Sequence, residues 1–386
     1  MKKIAIIGSG QAGLQLGMSL LDQEGYIVTM YSDRTGEEIA KGALPSTAIM
    51  FQDKIKVEQS MGLNFWGEKA HPTKGVKVEV RGEEGEKQIE FFTLFKDGLG
   101  QAIDYRLKYP VWLEEFQKRG GKLIIEKVDI AKLEQIQKQN DLTVVATGKG
   151  ELSDLFEKDL ERSPDYQSPQ RELAIVITDA NWKDHQLGIT LIPGIGEIIN
   201  IPMLTLGEKE GMAIVLLAIP GSPMAEELKT VKTGDDILQV VIKQVEKYRP
   251  DEMSLLGTKS MVDEKACFFG AVTPEVRKPV GRLPSGAIVM GLADSLLRVD
   301  PLSGNGLNNA VVMSDILTER ILRLQDGFFD EAWMNDVFDQ FWVYGRHVFT
   351  FMSALLDQPP HLVEALGAAA QNEALASDIG NGYTDP

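Results

Sequence analysis

The chain has 386 residues, enough to bury a large core spread over two or three domains. With 43% hydrophobic and 25% charged residues it has the composition of an ordinary globular protein. Its 57 acidic against 40 basic residues leave a net charge of −17, which argues against nucleic acid or an anionic membrane as partner and fits a cytoplasmic protein.

Ile4, Ala5, Ile6 and Ile7 form an apolar run suited to a strand buried on both faces of a parallel sheet. Four residues are too few for a signal peptide or a membrane anchor, and the later apolar stretch at 212–220 is also too short to span a bilayer. Gly8, Gly10 and Gly13 follow at G-x-G-x-x-G spacing. Leu14, Leu16, Met18, Leu20 and Leu21 then predict a helix, and 26–31 a second strand. In this pattern the first glycine makes the tight turn and the second admits a pyrophosphate. The third lets helix and strand pack closely. The helix start, with Gln11 and Ala12 between the glycines, offers N–H groups and partial positive charge to phosphates. Asp33, beside Arg34 at the end of the second strand, is the acid for ribose hydroxyls, one residue later than the commonest placement. Strand, loop, helix and acid together point to a bound dinucleotide.

Segment 42–51 begins as a loop and ends apolar; in such a fold it leaves the second strand and runs along the cofactor, bringing Leu44, Ser46, Thr47 and Met50 with it. Residues 76–80 alternate with period two, 88–94 read as strand, and the turn 81–85 between them makes a β-hairpin. Asp104 introduces a helix through Phe116, stopped by Gly120 and Gly121; 123–125 is a strand. A further buried strand, 141–146, delivers Thr147 and Gly148 at its carboxyl end, where open α/β sheets bind ligands.

Stretches 173–178, 187–192, 196–201 and 212–218 are strand-like, and 193–196 reads as a hairpin turn rather than a second nucleotide loop. Residues 235–249 supply the one clear helix of this region. Cys267, the single cysteine, excludes an intrachain disulfide and a thiolate metal site; its apolar neighbours mark it as a small buried residue. Strand 287–291 leads to Asp294, which suits a hydrogen bond from a sugar or ribityl hydroxyl. Asp300-Pro301 follows, and Gly304-Asn305-Gly306 opens a helix to Leu324. With the N-terminal loop and Thr147-Gly148, this second bare helix start favours a flavin site. From Phe328 the chain is helical with aromatic bulk in Trp333, Phe338, Trp342 and Phe349, and the tail after Ala374 is expected to fray. The histidines, His71, His185, His347 and His361, are scattered, so no metal site or catalytic triad is expected.

The three glycine-rich stretches resemble the glutathione-reductase-type FAD fold of flavoprotein monooxygenases. Asp104-Tyr-Arg106-Leu107, Thr147-Gly-Lys149, Pro169-Gln-Arg171, Pro193-Gly-x-Gly-Glu197, Asp300-Pro301-x-x-Gly304-x-Gly306 and Pro359-Pro360 are similar to the oxygenase component of two-component styrene and indole monooxygenases, nearly end to end. The resemblance implies an α/β fold. Its FAD-binding Rossmann-like domain with a parallel sheet comprises 1–75, 101–165 and 280–330. An inserted antiparallel β-sheet substrate domain comprises 76–100 and 166–279, and a C-terminal helical segment 331–386. It implies FAD, bound reduced and delivered by a separate NADH-dependent flavin reductase, and epoxidation of an indole- or styrene-like aromatic alkene through a C4a-hydroperoxyflavin. It adds Leu44, Arg106, Pro301 and Leu307 to the FAD contacts. It also implies that Gly304, Asn305, Gly306 and Asn309 face the reactive flavin edge while Ser46, Thr47 and Met50 line the substrate side. Ser46 and Met50 match the indole-type members, whereas Ala43 replaces a usual arginine. A homodimer stays open. A flavin-dependent halogenase and a non-catalytic escort protein of the same fold are the alternatives.

Overall fold

A computed structural model describes all residues except 183–185, 325–326, 358–359, 383 and 385–386, so His185 and Pro359 lie outside the described residues. The chain opens with β1 (Lys2–Ile7), α1 (Gln11–Leu21) and β2 (Tyr26–Ser32), followed by α2 (Gly36–Ala40) and α3 (Gln52–Ser60). The hairpin β3 (Gly75–Arg81) and β4 (Lys87–Leu94) comes next. Then α4 (Tyr105–Lys118), β5 (Lys122–Ile125), α5 (Ile130–Gln137) and β6 (Leu142–Val145) return to the first layer. β7 (Arg171–Thr178), β8 (Leu187–Ile192), β9 (Gly196–Leu204) and β10 (Glu210–Ala218) build a second sheet, backed by α6 (Pro223–Leu228) and α7 (Gly234–Tyr248). β11 (Cys267–Val272), β12 (Glu275–Val276), β13 (Val280–Arg282), β14 (Ile288–Gly291) and β15 (Leu297–Arg298) lead into α8 (Asn305–Arg323). α9 (Glu331–Asp357), α10 (Pro360–Ala369) and α11 (Glu373–Asn381) follow.

Two sheets organise the molecule. In the first, of order β13-β14-β6-β1-β2-β5, the pairs β1–β2, β1–β6, β2–β5 and β6–β14 are parallel. Helices cover both of its faces, which is why Ile4, Ala5 and Ile6 are wholly buried despite being consecutive. The second sheet, of order β11-β7-β10-β9-β8-β3-β4, is antiparallel except where β3 runs parallel to β8. Period-two alternation splits its residues. Ala174, Val176, Ile214 and Leu216 pack under the amphipathic α7, whereas Leu173, Ile175, Ile199 and Val215 face the first layer. α7 starts at a reciprocal capping box between Thr233 and Asp236.

Three departures from the sequence reading have local causes. α2, α3, α5 and α6 add helices in stretches with no apolar period long enough to announce them. α6, six residues long, is set by the Ser222 cap and Pro223 behind it. Beyond Ala374 the described residues up to 382 do not fray. α11 packs on the edge strand β4, where a Cβ on Gly380 would meet Thr93 at 2.1 Å. There Asn381 Oδ1 accepts the Lys96 N–H (2.7 Å) and its Nδ2 donates to the Leu94 carbonyl (3.3 Å). An edge strand's unpaired backbone groups are the docking template. Cys267 is half-buried rather than fully enclosed, because β11 is the opposite edge of the sheet; burial pushes its thiol up. Among the described residues no helix is long and apolar enough to cross a membrane.

Candidate active site

The carboxyl ends of β1, β2 and β6 and the starts of α1 and α8 converge on one groove. Gly8 adopts φ +115°, and a Cβ there would sit 2.8 Å from the Ala146 carbonyl oxygen; at Gly13 it would meet the Gly8 carbonyl at 2.1 Å. Gly10 faces open space and caps α1 with no side-chain acceptor. The first and third glycines therefore answer to packing, and the second leaves a cradle. Ser32 Oγ bonds Ser9 Oγ (2.8 Å) and the Arg34 carbonyl (2.6 Å), fixing the bend after β2 and leaving Asp33 exposed beside Arg34.

At the end of β6, Arg298 donates to the Gly148 carbonyl (2.7 Å) and Ser295 to that of Thr147 (3.2 Å). Gly148 lies against Asp294, where a Cβ would come within 2.5 Å of the aspartate's own. Asp294 is exposed to solvent, with dense protein packed around its carboxyl. That burial raises its carboxyl against the pull of Arg298 and Lys149.

α8 opens at Gly304, which holds φ +62° and offers no side-chain cap, so its first N–H groups point outward, and Gly306 faces open space. Asn305 and Asn309 are buried one turn apart. The residue that sequence reasoning passed over is Asn308. Its Oδ1 accepts the Phe51 N–H (3.1 Å), while Nδ2 donates to the carbonyls of Ile49 (2.9 Å) and Gly304 (3.1 Å). One buried amide thus staples segment 49–51 to the helix start. Its place in the same motif was visible, but two of its three partners, Ile49 and Phe51, lie more than 250 residues away.

That staple separates two cavities. The larger, about 460 Å³ to its open mouth, lies between Ser46, Thr47, Ala48 and Ile49, the turn Pro301–Ser303, and the aliphatic inner face of β7–β10. The smaller, about 290 Å³, is walled by Met50, Leu307, Tyr105 and the buried pair Glu58–Lys108. Gln11 Nε2 also donates to Glu58 (3.1 Å), and burial lowers the Lys108 ammonium although Glu58 opposes it. Met50, expected beside Ser46 on the substrate side, instead faces away from the sheet, among Ile55, Val311 and Leu307. One residue further along an extended segment turns the side chain to the other face.

Two expected cofactor contacts are engaged elsewhere. Arg106 is buried, and its Nε, Nη1 and Nη2 donate to the carboxylates of Asp104 and Asp263 at 2.7–3.2 Å, joining α4 to the loop before β11. Leu44 belongs to the core under the second sheet, and its N–H donates to the Lys265 carbonyl (3.0 Å). The remaining residues fit a flavin dinucleotide. Thr47 Oγ1, Thr147 Oγ1, Gln11 Oε1 and both amide atoms of Asn309 are buried with no hydrogen-bond partner among the described residues. Buried polar atoms left so suit the polar groups of a bound ligand.

The chain is 30% identical over 400 residues to styrene monooxygenase StyA of Pseudomonas fluorescens, a match covering 100% of this chain and 93% of that one. It belongs to the styrene monooxygenase family of flavoproteins. The same enzyme from a Pseudomonas species matches equally at 30% over 400 residues, with 100% and 93% covered. Residues 148–254 match the family model described as "Styrene monooxygenase A putative substrate binding domain"; this is the stretch that supplies the aliphatic wall of the larger cavity. In fold, the monooxygenase is similar to the flavin-dependent brominase Bmp2 (TM-score 0.70, 13% identity, 99% of this chain and 93% of that one). It is similar too to a PqsL variant of P. aeruginosa (0.65, 14%, 98% and 99%). These likenesses establish a shared α/β architecture: a parallel Rossmann-like sheet, an inserted antiparallel sheet and C-terminal helices.

Proposed function

We propose that this monooxygenase is the oxygenase component of a two-component system, taking reduced FAD from a separate NADH-dependent reductase and epoxidising an indole- or styrene-like aromatic alkene. In this reading segments 1–75, 101–165 and 280–330 hold the flavin, and 76–100 with 166–279 enclose the substrate. The observation that carries it is the larger cavity: its lining contains no ionisable side chain, and its deep wall is aliphatic throughout. Such a cavity accommodates an apolar ring and offers only the Ser46 and Thr47 hydroxyls with no ionisable group to activate them, which supports chemistry supplied by a cofactor at its mouth.

Reduced FAD supplies the electrons with which oxygen is activated for transfer of one atom to the alkene. The protein's part is binding, orientation and water exclusion. The N–H groups opening α1 meet the pyrophosphate, and Asp33 and Asp294 accept hydrogen bonds from ribose and ribityl hydroxyls. Thr47, Thr147 and Asn309 use their unpartnered buried atoms on the same ligand. The N–H groups opening α8 lie beside the turn that borders the cavity, where they stabilise negative charge at the reacting edge. Ser46 stands at the mouth, on the side that separates indole-type from styrene-type members, whereas Met50 lines the smaller cavity next to it.

The test is to premix the protein anaerobically with chemically reduced FAD, then add ¹⁸O₂ and follow flavin absorbance and product. Reoxidation slower than that of free FAD, altered by indole or styrene, with one labelled oxygen in the product, is expected. Reoxidation at the free-FAD rate with no oxygenated product overturns the reading.

A further inference from the structure

The chain enters β11 through residues 263–266, and this stretch is tied down on both sides of the flavin groove. On one side, the Asp263 carboxylate accepts Nη1 and Nη2 of Arg106 on α4 (both 2.9 Å). There the Lys265 carbonyl also accepts the Leu44 N–H (3.0 Å), and the Lys265 ammonium donates to the Lys41 carbonyl at the end of α2. On the other side stands Lys149, just past the end of β6. Its Nζ lies over the ring of Phe268, 4.9 Å from the centroid. In the parallel sheet β2 and β6 flank β1. Residues 263–268 therefore cross from the β2 side to the β6 side, over the carboxyl end of β1 where the Gly8–Gly13 cradle opens.

The attachments differ in kind. Arg106 is buried and shared with Asp104, so that end is fixed. Phe268 is held too. It pairs with Ile175 of β7, packs on the core under the cavity face, and lays its ring over Gly270, where a Cβ would come within 3.0 Å of it. Lys149 is the movable part. Arg298 pins the backbone beside it through the Gly148 carbonyl (2.7 Å), but the Lys149 side chain is exposed. Among the described residues its ammonium makes no hydrogen bond or salt bridge, and the Phe268 ring is what it rests on.

We propose that Lys149 is the gate of the flavin groove: seated on Phe268 it closes the gap between residues 263–268 and the end of β6, and swung away it lets FAD enter or leave. This rests on the flavin reading above, in which reduced FAD arrives from another protein at every turnover. An exposed side chain reorients on the nanosecond timescale, so exchange runs through the fraction of molecules with the gate open. Weakening the seat then speeds entry and exit alike and leaves the affinity unchanged.

The test is stopped-flow mixing of the full-length protein with FAD, followed by flavin fluorescence, with dissociation read after dilution. Phe268→Ala should raise association and dissociation rates by the same factor, roughly two- to fivefold, the size of an exposed cation–ring contact, with Kd within about twofold. Adding Lys149→Met to Phe268→Ala should speed dissociation no further, because the contact is already gone. Should Phe268→Ala not fold, the exposed Lys149 carries the test: Lys149→Met should dissociate faster by that factor, and Lys149→Arg, which keeps a cation on the ring, at the wild-type rate. Unchanged rates, or effects that multiply in the double variant, overturn the gate. So does a Kd that rises while association stays fixed, since the pair would then be an ordinary flavin contact. A gate that passes these tests in a protein forming no oxygenated product would sink the epoxidation reading alone; a wild type that binds no FAD would sink both.

Discussion

Asn308 shows how much of this site hangs on one side chain. Its amide serves the Phe51 N–H and the Ile49 and Gly304 carbonyls, so it sets segment 49–51 against the start of α8. Asn308→Ala leaves a buried donor and two acceptors unsatisfied, at a cost of about 1–3 kcal/mol. Because those groups belong to the strip between the two cavities, the variant should also bind reduced FAD about tenfold more weakly, read by anaerobic titration; unchanged affinity would show that the strip holds its place without the staple. Gly13 is constrained in another way. With the Gly8 carbonyl 2.1 Å from the position of a Cβ, Gly13→Ala must push α1 off β1. It should lose flavin binding and melt lower than the wild type, measured by absorbance after gel filtration and by thermal denaturation.

At the scale of elements, the joint between α4 and the loop before β11 is an ion cluster rather than a cofactor contact. Arg106 holds Asp104, which also caps α4 by accepting the Arg106 N–H (2.9 Å), and reaches Asp263 across the layers. Arg106→Met strands the buried Asp104 carboxylate. About 3 kcal/mol of destabilisation is expected, the low end for a broken buried pair because Asp263 is a third exposed. If Arg106 only joins elements, the folded variant keeps its affinity for reduced FAD within about twofold, in the range of effects of residues that do not touch a ligand. A loss of tenfold or more in a titration of the folded protein would restore the cofactor role.

For the whole molecule, the two sheets divide the work. The parallel sheet presents strand ends and helix starts to a charged ligand, and the antiparallel sheet presents one aliphatic face to an apolar one. Val215 stands on that face, in the middle of β10. Val215→Phe projects a ring into the cavity without touching the groove. It should raise KM for styrene or indole about tenfold, in line with the 1–3 kcal/mol of overpacking that a bulkier side chain brings to a filled site. The rate of flavin reoxidation without substrate should not change. A variant that slows both equally would place Val215 beside the flavin instead.

What the sequence by itself determined is what short-range pattern encodes. The run Ile4 to Ile7, the spacing of Gly8, Gly10 and Gly13, the alternation in β3 and β7–β10 and the amphipathic α7 each follow from a backbone period or a steric demand within a few residues. Together they carried the fold class and the flavin groove. Tertiary structure decided everything that depends on what lies opposite. It turned Met50 from the sheet while leaving Ser46 at the mouth, and closed Arg106 between two aspartates. It seated α11 on an edge strand, and paired Arg171 of β7 with Glu197 of β9. A side chain's partner across a layer leaves no period in the chain. The free energy of a buried charge depends on the whole surround, which exists only once the layers have met.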